Sequence, residues 1–353
     1  MSTPSWAIES PDQITAAWAA ELLGHPVAEV LVEQVGTGQI GTCYRVSLAG
    51  APDLPARVLV KLPAPDAGAR ELLKGVYRSE VTFYDRLAPT LAARVPTVHA
   101  SRLDEDSGHF VLALEDLSPL VQGDQVAGAT PAQVLDAAVN LAGVHGPRWS
   151  DPTLLEVPGL ALNTQEDADT LAELYGPTMD LFVDGLGDRL APEDVEVLRG
   201  CVPGVAAWAL ARQDERYGVL HGDYRLDNLM FTEGGGPGEV AALDWQTISL
   251  ALPARDLAYL VATSLDPADR RAVEREVVAA YHARLVELGV RDYDLETCWD
   301  DYVFALPQGP LVASFGCAYG TRTERGDAMF AAMTRRACAA IRDLGSLDMS
   351  THR

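Results

Sequence analysis

Apolar residues alternate with polar ones along much of the first 115 positions, then recur at helical spacing from Pro131 onward. The alternation predicts strands at Glu29 to Val35, Cys43 to Leu48 and Arg57 to Leu62. It predicts two more at Val95 to Leu103 and His109 to Leu114, joined by the acidic turn Asp104 to Gly108. Two helices interrupt them. Residues 11–24 read as a helix capped by Ser10-Pro11-Asp12 and ended by Gly24. In the segment Tyr77 to Leu87, Val76, Phe83 and Leu87 share a helical face, with Glu80 beside it.

At Glu115-Asp116-Leu117-Ser118-Pro119 the apolar strand gives way to polar linker. This marks a boundary between a β-rich lobe, 1–116, and a helical lobe, 117–353. The expected class is α+β and bilobal, with a small antiparallel sheet and a larger helical part. Helices are predicted at 131–146, 166–186, 192–214, about 253–264, 267–288 and roughly 322–343. His145 and Trp149, near the end of the first of these, read as packing residues. Residues 294–320 are rich in aromatic side chains and broken at Pro307 and Pro310.

Composition narrows the chemistry. A formal charge of −24 argues against a nucleic-acid partner, because phosphate backbones are bound through a surplus of Lys and Arg. It reads as a solvated acidic surface, or as an acidic pocket for cations. The five arginines 322, 325, 335, 336 and 342 then read as surface ion-pair partners. Five scattered cysteines with no Cys-x-x-Cys fit a reducing cytoplasm rather than disulfides or zinc. Residues 1–25 lack the pattern of a signal peptide, and no apolar run reaches the ~20 residues that cross a bilayer. The expectation is a cytoplasmic protein with no membrane association and no obligate protein partner.

The candidate chemistry lies in three places. Gly36-Thr37-Gly38-Gln39-Ile40-Gly41 stands between two strands, where a dinucleotide fold would need a helix next and an acidic residue about 20 positions on. Here the residue twenty past Gly41 is Lys61. Strand, glycine loop and strand make a lid whose backbone can approach nucleotide phosphates. Lys61 and Glu80 could form the ion pair that aims an ammonium at α- and β-phosphates. The third place is residues 219–246. There Asp223 and Asn228 stand five apart on one loop, and Asp244 follows Asp223 by twenty-one at the end of a strand. A carboxylate that orients a hydroxyl, with an amide and a second carboxylate for magnesium, is what metal-assisted phosphoryl transfer needs.

These stretches resemble the aminoglycoside-phosphotransferase/choline-kinase superfamily, with the bacterial ecdysteroid-kinase-like branch most similar. The resemblance is carried by the glycine loop through Arg45, Glu80 with Phe83-Tyr84, Leu114-Glu115-Asp116-Leu117, and His221-Gly222-Asp223-Tyr224-Arg225-Leu226-Asp227-Asn228. Asp244-Trp245-Gln246 and Arg255-Asp256-Leu257-Ala258-Tyr259-Leu260 complete it, and it spans residues 33 to about 290. It implies a protein-kinase-like fold that uses ATP and Mg2+. Asp223 would be the catalytic base, Asn228 and Asp244 the metal ligands, and Lys61 with Glu80 the phosphate-positioning pair. Gly36, Gly38 and Gly41 would cover the nucleotide, Glu115 and Leu117 would offer backbone groups to its base, and His221 would brace the loop. Arg225 would either contact the γ-phosphate or pair with Asp227.

Asp244 is followed directly by Trp245-Gln246 rather than by a Phe-Gly pair, and no Ala-Pro-Glu segment comes after it, so no peptide platform is expected. The acceptor is expected to be a small hydroxylated molecule: a metabolite, xenobiotic or antibiotic. An acidic cleft would favour cationic amines, and an aromatic one would favour steroid or macrolide rings on Trp299 and Tyr302. The rivals are a nucleotide-binding module without turnover and a two-metal phosphohydrolase. The second would need His and Asp ligands that the sequence does not cluster.

Overall fold

The structure, a computed structural model, describes residues 4–35, 41–50 and 52–351, with side chains as far as residue 348. Gly36 and Gly38 of the predicted glycine loop lie outside the described residues. The chain divides into two compact units. The first comprises residues 1–89, 95–118 and 244–247; the second comprises 90–94, 119–243 and 248–353.

The first unit is built on a five-stranded antiparallel sheet of β1 (Glu29–Val35), β2 (Gly41–Ala49), β3 (Arg57–Pro63), β4 (Val98–Asp104) and β5 (His109–Glu115), in the order β1-β2-β3-β5-β4. Val46, Val58, Val60, Val111 and Ala113 bury one face of it against α1 (Ala16–Leu23) and its flanks. The helix predicted over 11–24 starts later than expected. Pro11–Gln13 form a separate 3-10 turn, and Thr15 caps α1 by accepting the Trp18 N–H at 3.2 Å.

The helix α2 (Ala67–Thr82) starts ten residues before Tyr77, where Asp66 accepts the Ala69 N–H at 2.8 Å. It widens into a π turn over Phe83–Leu87. Tyr77, Glu80, Tyr84 and Leu87 are buried, so Glu80 lies on the buried face rather than beside it. Val76 is only half-buried.

Among the described residues the second unit is helical, with five short strands in two small sheets. Its elements up to the central stretch are β6 (Val121–Gln122), α3 (Pro131–His145), α4 (Gln165–Leu186), α5 (Pro192–Gly200) and α6 (Val205–Leu210). Then come β7 (Gly218–Leu220), β8 (Leu229–Phe231), β9 (Val240–Ala242) and β10 (Ser249–Ala251). The last helices are α7 (Ala254–Ser264), α8 (Pro267–Glu287), α9 (Leu295–Ala305), α10 (Gln308–Tyr319), α11 (Glu324–Leu344) and α12 (Ser346–Thr351). β8 pairs with β6 and β9, and β7 pairs with β10.

Three expectations are corrected here. The helix predicted over 192–214 is two, since Pro203 and Gly204 stand between α5 and α6. Tyr302 is sealed in the core with its hydroxyl on Glu274 at 3.2 Å, and the half-buried Trp299 has the Arg275 guanidinium 4.0 Å from its ring centre. These two rings are packing elements rather than an open stacking platform. Arg336 is buried rather than superficial, and donates to the carbonyls of Gln125, Thr263, Val126 and Ala127. No helix among the described residues is long and apolar enough to cross a membrane.

Candidate active site

In the first unit, β3 presents Lys61 and α2 presents Glu80. The Lys61 ammonium lies 2.8 Å from both Glu80 oxygens and 3.0 Å from Asp244 Oδ1. Burial works to discharge the lysine, but the Glu80 and then the Asp244 carboxylate outweigh it and raise its pKa. Burial pushes the Glu80 carboxyl up while Lys61 pulls it down, and Lys61 stays charged as the partner of both acids.

The segment carrying Asp244 is held by aromatic stacking. Trp245 lies flat on Phe83, with ring centres 3.7 Å apart and planes 3° apart, and Gln246 Nε2 donates to Glu80 Oε2 at 3.2 Å. Asp244 itself takes a positive φ of 63°, a left-handed conformation that Asp tolerates better than most residues. At Gly41 a Cβ would stand 2.6 Å from the Leu62 carbonyl oxygen, so β2 can approach β3 there only without a side chain. Glu115 ends β5 opposite Val58 and accepts the Thr97 N–H at 3.0 Å, and Leu117 is buried just beyond it.

In the second unit, β7 delivers His221-Gly222-Asp223. Asp256, fully buried in the first turn of α7, accepts the His221 N–H at 2.6 Å and the Gly222 N–H at 3.1 Å. The φ of +81° at Gly222 turns the chain as only glycine does freely. The His221 ring lies between the Leu243 carbonyl, 2.7 Å from Nε2, and the Asp223 N–H, 3.2 Å from Nδ1. Nδ1 is therefore the acceptor and Nε2 carries the proton. His145 packs beneath, its Nδ1 2.8 Å from the Tyr281 hydroxyl.

The Asp223 carboxylate has three donors. Tyr259 Oη donates to Oδ1 at 2.8 Å, and Arg225 Nε and Asn228 Nδ2 each donate to Oδ2 at 2.9 Å. Burial, then the Asp223 charge, push the Tyr259 hydroxyl well above its ordinary range, so it stays a donor. Arg225 also pairs with Asp227 at 2.9 Å. Of the two expectations for Arg225, this state shows the ion pair. Asp227 further accepts from Arg325 and from the Gln125 N–H. Burial would raise its pKa, but these donors hold it below the ordinary value.

The first unit thus assembles Lys61, Glu80 and Asp244, and the second assembles Asp223, Arg225 and Asn228. Sequence reasoning gave no role to Tyr259, Asp256, Gln125 or Gln246. Tyr259, Asp256 and Gln246 lay inside the stretches that carried the resemblance, and Gln125 had no local signal at all. Arg325 reads from the sequence as an ion-pair partner, and only the fold names Asp227 as its carboxylate.

A magnesium ion takes oxygen donors and keeps several waters beside one or two protein ligands and substrate phosphates. The Asn228 side chain suits such a role. The Asn228 amide nitrogen is held by Asp223 Oδ2 and by the Asp223 carbonyl, both at 2.9 Å. That leaves the amide oxygen to a cation.

Solved structures share this fold. A choline kinase from Cryptosporidium parvum Iowa II is 10% identical, with a TM-score of 0.55, covering 91% of each chain. A macrolide 2'-phosphotransferase from Brachybacterium faecium is 16% identical with a TM-score of 0.51, covering 90% of this chain and 96% of that one. An aminoglycoside 2'-phosphotransferase-IIIa, in its GDP complex, is 14% identical with a TM-score of 0.53, covering 90% of this chain and 95% of that one. No curated protein matches the chain. The fold is protein-kinase-like, of the aminoglycoside-phosphotransferase/choline-kinase type. Matching it over residues 31–295, more than half its length, the chain belongs to the phosphotransferase enzyme family.

Proposed function

We propose that the protein is an ATP- and Mg2+-dependent kinase that phosphorylates a hydroxyl of a small molecule. The observation that carries this reading is the Asp223 carboxylate, fixed by three donors and left with room for one more. A carboxylate offers about four acceptor directions. Arg225 and Asn228 take both on Oδ2, and Tyr259 takes one on Oδ1. The remaining direction, on Oδ1, is where an acceptor hydroxyl would place its proton.

In the proposed reaction the hydroxyl oxygen bonds to the γ-phosphorus and the bond from that phosphorus to the β–γ bridging oxygen breaks. The proton passes to Asp223, and ADP leaves. Bound magnesium would offset the phosphate charge, held by Asn228 and Asp244. Lys61, kept charged by Glu80 and Asp244, would orient the α- and β-phosphates. Gly41, with the glycine loop before it, would cover the phosphates, and Glu115 and Leu117 would offer backbone groups to the base.

Asp223→Asn tests the assignment. Removing a positioned general base costs about 10²–10⁴ in rate. Turnover, followed as ADP release from ATP, is expected to fall by that factor, with the Kd for ATP nearly unchanged. Full turnover in this variant would end the proposal.

A further inference from the structure

A cavity of about 220 Å3 lies in the second unit between α4, α6, α10 and α12. Tyr175, Cys201, Val205, Trp208, Leu311 and Leu347 line it. Among the described residues of its wall only Asp348 is charged, and it is exposed. The volume exceeds the ~150 Å3 of an apolar cavity that takes up benzene.

The cavity is remote from the candidate base. Met329 of α11 lies 2.9 Å from Arg225, which holds Asp223. From position 329 the helix runs on to Leu344, roughly 22 Å at about 1.5 Å per residue. Only beyond that end does Leu347 join the cavity wall.

The wall is fixed in place. The Trp208 indole N–H donates to the Phe304 carbonyl at 2.9 Å, and the Arg255 guanidinium lies 4.0 Å from the Trp208 ring centre. The Tyr175 ring packs on that of Phe315, with centres 6.0 Å apart and planes at 13°. Walls held in this way are formed before a ligand arrives, which lowers the cost of binding.

One polar group on the wall lacks a partner. The Tyr175 hydroxyl is buried and has no hydrogen-bond partner among the described residues, whereas buried tyrosine hydroxyls ordinarily find one. Burial, then the Cys201 thiol, push its pKa well above the ordinary value against a pull from Ser314, so it remains a donor. Ser314 donates its own proton to the Leu311 carbonyl at 2.9 Å. Burial also pushes the Cys201 thiol up to about 12, which leaves it neutral. Water answers the hydroxyl poorly. A held water needs about two to four polar partners, and the buried side chains of the wall offer the phenol and one weakly bonding thiol.

We propose that this cavity binds a small, neutral, apolar molecule carrying one hydrogen-bond acceptor, such as an aryl ketone. Its carbonyl would accept from the Tyr175 hydroxyl and its rings would lie beside Trp208 and Leu311. The site is separate from the phosphotransfer reading and does not depend on it.

The probes are 1-indanone, a fused bicyclic ketone, and indane, the same skeleton without the oxygen. Calorimetric titration of the whole chain, with no ATP present, is expected to show saturable binding of both. 1-Indanone should bind roughly three- to tenfold tighter, the range of one net hydrogen bond. In Tyr175→Phe the two affinities should converge, with that for indane unchanged. This variant deletes only a hydroxyl without a partner, so its melting temperature should not fall below that of the wild type. No saturable binding of 1-indanone, a ketone preference that survives in Tyr175→Phe, or a lower melting temperature in that variant would overturn the proposal. The last result would show that the hydroxyl is already bonded within the protein. Neither nucleotide nor turnover enters these measurements, so failure of the kinase assignment would leave them as they stand.

Discussion

Lys61 keeps its charge because two carboxylates outweigh its burial, whereas the same burial keeps the neighbouring thiol neutral. Cys43 is the cross-strand partner of Lys61 on β2, and burial, only partly offset by Lys61, pushes its thiol up to about 11. Alkylation requires the thiolate. In the folded protein, then, the rate at Cys43 is expected to climb about tenfold per pH unit and to level off only near pH 11. At pH 8 it should be on the order of 10²-fold slower than in the denatured chain, whose thiols titrate near the ordinary ~8.5. Iodoacetamide labelling followed by peptide mass spectrometry measures this. A plateau near pH 8.5 in the folded protein would mean that the thiol is not shielded as the sheet shields it. The same contrast explains what a linear sequence conceals. Cys43 and Lys61 were both legible as strand residues, but the balance of burial and charge at each depends on Glu80 and Asp244, which lie far along the chain.

At the scale of elements, one aromatic pair sets the position of a candidate metal ligand. The π turn at the end of α2 presents Phe83 to Trp245, and Trp245 stands next to Asp244 in the chain. Both rings are fully buried. Trp245→Ala should therefore cost about 3–5 kcal/mol of stability, and should lower the proposed ATP turnover because Asp244 loses its anchor. Trp245→Phe, which keeps a ring against Phe83, should restore most of both. Urea denaturation and ADP release read the two effects, and an alanine variant with wild-type stability would show that the stack does not hold the segment.

The strands and most helices were readable because alternation and caps are local signals. The first ten residues of α2 were not, since Gly68, Gly75 and the exposed Leu72 leave them no apolar face. In the sequence a carboxylate reads as polar, which sets Glu80 beside the buried face rather than on it. Its burial becomes tolerable only through Lys61 and through Gln246, 166 residues away. Asp223, Asn228 and Asp244 were legible because one stretch carries all three. Tyr259, 36 residues beyond Asp223, gains its role only when α7 folds.

For the whole molecule the dominant quantity is the charge of −24, from 51 acidic and 27 basic residues. It is not concentrated where the candidate base lies, because arginines occupy Asp223 and Asp227 there. The excess must then lie elsewhere on the surface, where like charges repel and oppose the compact state. Screening should relieve that repulsion. The Debye length falls from about 30 Å at 0.01 M to about 8 Å at 0.15 M, which removes long-range repulsion before it weakens contact pairs such as Lys61 with Glu80. The melting temperature at pH 8 is therefore expected to rise with NaCl across that range. A gain of ~1 kcal/mol would appear as roughly 2 °C in a chain of this size. Scanning fluorimetry at graded NaCl measures it, with glycerol at matched viscosity as the control. A melting temperature that falls with salt would mean that paired charges govern stability more than the excess does. In that case the acidic residues would be organised in the fold rather than spread over its surface.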